Sequence, residues 1–169
     1  MKLTTLPNGS TVCDDDPGEP STGAKRISVT EDEAELLAWL ARDKTVLEIG
    51  TGLGVSTQAM ARTACHVDTI DSDPWVWMNS FLNMRPIPSL HCWRSRDEMT
   101  ARNHDMVFID GEHTTDALKT DLSFAKECCT RGIIVVHDWK IDAVKLALDD
   151  SYAYIDTHHG LALKVVGWD

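Results

Sequence analysis

Short apolar runs alternate along this chain with segments in which apolar residues recur every three or four positions. The runs are Thr45–Ile49, His66–Ile70, Leu90–Trp93, Met106–Ile109 and Ile133–Val136. Between them, Val55–Arg62, Trp75–Met84 and Thr114–Cys129 read as helices. In the last of these Leu118, Leu122, Ala125 and Cys129 hold one face. An earlier helix starts at Thr30. Thr30 and Glu33 have the spacing of a capping box, in which each side chain satisfies an unpaired backbone donor. Ala34, Leu37, Ala38 and Ala41 follow as an apolar stripe. Strand-like runs with few charges, separated by helices, predict a parallel sheet covered on both faces.

The two ends of the pattern differ from its middle. Lys140–Leu148 reads as a helix, and Tyr152–Asp156 and Leu161–Val166 as strands joined by Thr157-His158-His159-Gly160. That link is too short for a crossover between parallel neighbours, so an antiparallel pair is expected at one edge of the sheet. At the start, Leu3–Leu6 and Thr11–Cys13 flank Pro7-Asn8-Gly9-Ser10, a hairpin signal. The run from Asp14 to Pro20 then has the composition of an exposed linker. Residues 1–23 therefore read as a hairpin-and-linker appendage, and residues 24–169 as one domain.

Composition narrows the function classes. The chain has 169 residues, 43% of them hydrophobic, enough for one core. Sixteen basic residues against 27 acidic ones give a formal charge of −11. Nucleic-acid binding draws most of its affinity from phosphate contacts, so no nucleic-acid partner is expected. No run approaches the roughly 20 apolar residues of a membrane span, and Met1–Thr5 has no signal-peptide core. A cytoplasmic protein with no membrane partner is expected. The five cysteines form no CxxC pair and read as reduced, packed thiols.

The chemistry begins at Val46-Leu47-Glu48-Ile49-Gly50-Thr51-Gly52-Leu53-Gly54-Val55-Ser56-Thr57, a strand, a glycine turn and a helix start. Three alternating glycines exceed the needs of a plain turn and suit close approach of backbone to a ligand. The spacing is not that of a dinucleotide fingerprint, because Val55 follows the third glycine. Glu48 would repel a pyrophosphate and suits a ligand that carries an ammonium and a sulfonium. Asp71, directly after the second apolar run, is placed to accept from ribose hydroxyls. Asp73 is equally placed to cap a helix opening at Pro74.

Asp110 and Asp138 each end an apolar run, and ligands gather at strand ends of this kind. If the two strands are neighbours, Asp110, His137 and Asp138 converge beside the glycine turn. Close carboxylates need a proton or a cation between them. Oxygen donors suit magnesium, calcium or manganese, and an imidazole shifts the preference toward a transition metal. The plainer readings stay open: Asp110-Gly111 as a turn, Asp138 as a helix cap, His137 as a core histidine.

These residues resemble class I S-adenosylmethionine-dependent methyltransferases. Within that family, Phe108–His113 and Ile133–Asp138 are most similar to the macrocin O-methyltransferase and cephalosporin hydroxylase-like group. Glu112 stands where that group usually has aspartate. The resemblance implies a Rossmann-like fold: a mostly parallel seven-stranded sheet with an antiparallel edge strand and helices on both faces. It places Glu48, Gly50, Thr51, Gly52, Gly54, Asp71, Ser95, Arg96 and Asp110 at the cofactor, with Ser95 and Arg96 near the adenine. Arg96 and Asp97 read equally well as surface charges. The resemblance also implies a divalent ion, magnesium or manganese, held by Asp110, His137 and Asp138. His113 falls where the group has its general base, and otherwise reads as a helix-start histidine facing water. The implied reaction is O-methylation of a hydroxylated small molecule. With so short an N-terminal segment, the acceptor site is expected to be small or open, or completed by a second subunit in a homo-oligomer. A metal-independent methyltransferase and a non-catalytic cofactor-binding module are the competing readings. Trp75, Trp77, Trp93 and Trp139 suit either a pocket wall or the core.

Overall fold

A computed structural model describes residues 3–5, 11–13, 29–73, 90–93, 95–99 and 103–168. The helix expected over Trp75–Met84, the linker from Asp14 to Pro20 and the turn at Pro7–Ser10 lie outside the described residues. β1 (Leu3–Thr5) and β2 (Thr11–Cys13) pair antiparallel, with Leu3 opposite Cys13. α1 (Glu31–Leu40) then opens on the capping box: Thr30 accepts from the Glu33 amide, and Glu33 accepts from the Thr30 amide.

The main sheet has seven strands. They are β3 (Thr45–Ile49), β4 (His66–Ile70), β5 (Leu90–Trp93), β6 (Met106–Ile109), β7 (Gly132–His137), β8 (Ala153–Ile155) and β9 (Leu161–Val166). Their spatial order is β5-β4-β3-β6-β7-β9-β8. The first five are parallel. β9 runs antiparallel to both β7 and β8 and lies between them, so β8, at the edge, points the same way as β7. The short 157–160 link makes this possible, because a reversed strand needs no crossover.

Alternation along the strands splits the core into two layers. Val46, Met106, Phe108 and Val135 pack with Leu37 and Leu40 of α1 and with Val55, Ala59 and Met60 of α2 (Val55–Ala61). Leu47, Ile49, Val107, Ile109, Ile134 and Val136 pack with Leu118, Leu122, Ala125 and Cys128 of α3 (Thr115–Cys128). Leu37 is fully buried, and its truncation to alanine should cost about 2–5 kcal/mol.

One expected helix shrinks. In place of Lys140–Leu148, α4 covers only Asp142–Lys145. Asp138 has a left-handed backbone (φ 59°), and the Ile141 amide bonds the Asp138 carbonyl, so the chain turns before it can coil. Lys140 is drawn off to the β8–β9 link, where its ammonium pairs with Asp156 and donates to the Thr157 carbonyl. Beyond Lys145 the Leu146 amide closes a last helical turn on Asp142, and tight turns follow, through Ala147 to Val144 and Leu148 to Lys145. The strand expected over Tyr152–Asp156 likewise shortens to Ala153–Ile155.

Candidate active site

The β3–α2 turn needs glycine for two different reasons. Gly50 has φ 97°, and a Cβ there would collide with the Asp110 backbone, so the first turn and the end of β6 touch directly. Gly52 has φ 50°, and a Cβ there would meet nothing within 4 Å. It would enter a cleft of about 590 Å³, a size typical of small-molecule sites. Gly50, Gly52, Asp71, Ser95, Arg96, Asp97, Asp110, Gly111, Glu112 and Asp121 are on its walls. Asp71 stands at the end of β4, where its Oδ2 accepts from the Gly52 amide at 3.0 Å and its Oδ1 from the Asp73 amide.

Glu48, Thr51 and Gly54 are not on the wall of this cleft. Glu48 is fully buried. One carboxylate oxygen accepts from Ser56 at 2.5 Å; the other accepts from Thr57 and, at 2.6 Å, from Thr69. The Thr69 hydroxyl also lies 2.7 Å from that of Thr51. Strand alternation explains the placement: Glu48 shares the Val46 face, under the turn. Burial pushes its carboxyl up to about 7, against the pull of the three hydroxyls. Glu48 thus ties β3, β4 and the first turn of α2 together, and Gly54 serves as the left-handed cap of α2.

Arg96 is paired and about a third exposed, with 35% of its side chain open to solvent. Its guanidinium pairs with buried Asp121 of α3 and lies over the Phe124 ring at 5.6 Å, and both Arg96 and Asp121 are on the cleft wall.

Across Gly50, β6 and β7 end side by side and bring their carboxylates together. His137 Nδ1 lies 3.0 Å from Asp110 Oδ1 and 3.1 Å from Asp138 Oδ2. His113 Nε2 lies 2.9 Å from Asp138 and 3.6 Å from Asp110. Donor atoms of Asp110, His113 and Asp138 all fall within 4.8 Å of one another. Behind them, His137 Nε2 faces Glu33 at 3.3 Å. An imidazole with a carboxylate at each nitrogen is doubly protonated. Burial opposes that charge, but Asp110, Asp138 and Glu33 outweigh it and push His137 up to about 12. Hydrogen bonding to Asp110 and Asp138 raises His113 to about 9, against burial. Burial would raise the carboxyls of Asp138 and Asp110, yet the histidines hold both below the usual range.

Glu33 had been legible only as a helix cap. It also accepts from the Thr157 hydroxyl at 2.7 Å and the His159 amide at 2.8 Å, and lies 2.9 Å from the His159 ring. The signal was present: Glu33 sits four residues before Leu37 and eight before Ala41, on the apolar face.

A family model described as a methyltransferase domain matches residues 47–139, from the glycine-turn strand to just past Asp138. The chain belongs to this methyltransferase family. Solved structures with the same fold include the cofactor-bound protein Rv0187 from MTB, 21% identical with a TM-score of 0.72 over 84% of this chain and 83% of that one. The O-methyltransferase TomG from Streptomyces achromogenes, solved with SAM, is 18% identical (TM-score 0.67, covering 85% and 84%). An RNA methyltransferase from Salinibacter ruber, solved with S-adenosyl-L-homocysteine, is 15% identical (TM-score 0.64, covering 84% and 95%). Comparison with curated proteins gives no match. Among the described residues of this methyltransferase, no helix is long and apolar enough to cross a membrane.

Proposed function

We propose that this methyltransferase moves the methyl group of S-adenosylmethionine to a hydroxyl of a small molecule, with a divalent cation at the Asp110–Asp138 edge. The observation that carries the reading is the meeting of Asp110, His113 and Asp138 beside a glycine turn whose Gly52 opens on the cleft. The residues suit the cofactor: Asp71 offers an acceptor for ribose hydroxyls, and the backbone at Gly52 leaves room for close approach. They suit a cation as well. Asp110 and Asp138, joined by Nδ1 of His137, would form a donor set for magnesium or manganese, with transition ions also accommodated, and would leave Nε2 of His113 to the acceptor. His137 presents Nδ1 to the same point while Glu33 holds Nε2, the outer carboxylate–histidine arrangement that orients metal-bound imidazoles.

The cofactor supplies a methyl group on a sulfonium, already a good leaving group, and the cation lowers the acceptor hydroxyl's pKa. What remains for the chain is positioning and proton removal. His113 takes the acceptor proton on Nε2, the nitrogen that faces Asp138. To do so it must first be neutral. Asp110 and Asp138 stabilise its charge; a cation held by these two carboxylates would compete for them and so favour the neutral imidazole that can act as base. Arg96 and Asp121 hold the cleft wall, and Glu48 fixes the turn from below.

A metal-independent reaction is the second reading, because His113 and His137 by themselves can neutralise the carboxylate pair. The formal charge of −11 favours a small-molecule acceptor over RNA. The test is release of S-adenosylhomocysteine from a panel of hydroxylated compounds, with and without EDTA. Turnover that chelator abolishes and magnesium restores supports the first reading. Full turnover in EDTA supports the second, and cofactor binding with no turnover on any acceptor supports a non-catalytic module.

A further inference from the structure

A second group of metal-ligating side chains stands at the opposite end of the strands from the cleft, near the start of β4. His66 and Asp68 share one face of β4, and His91 lies on β5 in register with Asp68, so all three project the same way. His66 Nε2 is 3.3 Å and His91 Nδ1 3.6 Å from the same atom, Asp68 Oδ1. The three donor atoms lie within 4.8 Å of one another. Neither imidazole makes a sound hydrogen bond to that oxygen. The His91 nitrogen is beyond reach, and the His66 nitrogen is buried without a hydrogen-bond partner. Asp68 has shorter contacts elsewhere. Its Oδ1 already accepts from the Trp93 indole at 2.9 Å, and Oδ2 lies 2.9 Å from His104 Nε2. These two contacts orient the carboxylate, as the outer partners of a metal-bound carboxylate do.

We infer that His66, Asp68 and His91 form a transition-metal site of the zinc type, separate from the carboxylate edge of the cleft. Ligand bonds of about 2.0–2.1 Å place neighbouring tetrahedral ligands about 3.3–3.5 Å apart. The His66 spacing of 3.3 Å falls in that range, and the His91 spacing of 3.6 Å lies just beyond it, within reach of a small rotation of the half-exposed ring. Two imidazoles and a carboxylate favour zinc, cobalt or nickel over magnesium, which prefers oxygen. His91 is half-exposed, so the ion has a path in and a fourth position for water. A bound ion clips β5 onto β4, whose far ends carry Ser95 and Asp71 into the cleft.

The test uses cobalt(II) and zinc(II) as probes, by calorimetry and visible absorption, on three forms of the full chain. Those forms are the wild type, the pair His66→Gln with His91→Gln, and the pair Asp110→Asn with Asp138→Asn. The Asp110/Asp138 form should keep one equivalent of cobalt with the intense absorption of a tetrahedral site. It should also melt several degrees higher with zinc, reversibly on chelation. The His66/His91 form should lose that equivalent and that absorption while its circular dichroism stays that of the wild type. Equal stoichiometry in the His66/His91 form and the wild type would overturn the site. So would an Asp110/Asp138 form that binds no cobalt. If the glutamine pair misfolds, His91→Gln alone at its exposed position decides, and a single variant with unchanged cobalt affinity overturns the site.

Discussion

Two buried carboxylates on either side of the glycine turn meet opposite fates. Glu48, under the turn, is surrounded by hydroxyls alone, and burial drives its carboxyl up to about 7. Glu33, behind the β6–β7 edge, is as thoroughly buried. Burial pushes it the same way, yet His137, His159, the Thr30 amide and Thr157 together hold it well below the carboxylate range. Hydroxyls share hydrogen bonds without bringing charge, whereas imidazoles bring protons. One side of the site is therefore near-neutral scaffolding, and the other alternates carboxylates with protonated imidazoles, from Glu33 through His137 to Asp110, Asp138 and His113, with the His159 ring against Glu33. Chemistry that moves a proton belongs on the second side.

The largest break in that contrast should come from His113. His113→Ala is expected to lower turnover by roughly 10²- to 10⁴-fold with cofactor affinity nearly unchanged. His113→Gln should be almost as impaired. Any turnover that the wild type retains under chelator should climb with pH toward about 9, where the imidazole loses its proton. With magnesium the climb should come at lower pH. A rate profile that ignores both pH and metal removes His113 from the mechanism.

Gly52→Val tests the other side. Its side chain would enter the cleft from a left-handed backbone that valine resists. Calorimetry should show S-adenosylhomocysteine binding weakened by about 100-fold or more, a loss of about 2.7 kcal/mol. Affinity equal to the wild type would mean that the ligand does not pass Gly52.

Stability should respond to pH with opposite sign on the two sides. The Glu33 carboxyl is lowered in the fold, so the unfolded chain takes up its proton first. Its contribution is present above about 4.5 and is lost on acidification. Glu33→Gln should cost about 2 kcal/mol at neutral pH in urea unfolding, and flatten the acid loss. Glu48 is raised, so the fold keeps a proton that the unfolded chain releases. Its contribution is present below about 4.5 and fades as pH rises to about 7. Glu48→Gln, the smallest effect, should flatten that fade. Unchanged pH slopes in both variants would dissolve the distinction.

Much of this was legible in the sequence. β3, β4, β5 and β6 match the apolar runs residue for residue; in β3, β4 and β6 burial on both faces leaves a nearly unbroken signal. The α1 cap was legible for a local reason as well, since both its partners lie within one turn. α4 was not, since a backbone reversal at Asp138 and a lysine pulled toward the 157–160 link decide its length. Nor was the direction of Glu48. Alternation puts it on the face of Val46, but only the fold reveals that this face lies under the turn. The histidine–carboxylate chain depends on pairs such as Glu33 and His159, which local pattern cannot join.

The reversed strand β9 carries one more consequence, for the order in which the molecule is made. His159, at the entrance to β9, meets Glu33 across 126 residues of chain. Contacts of such separation close late, because the intervening chain must be organised before they hold. On a ribosome, β3 to β7 can pair while β9 is still inside the exit tunnel, and Asp110, His113 and Asp138 can already approach one another. Glu33 then waits, a buried-to-be carboxylate with half its partners unmade. The back wall of the site closes only when β9 slides between β7 and β8. A nascent chain stalled before Thr157 should thus be folded enough to form the sheet's centre, yet still open at the edge where the proton is handled.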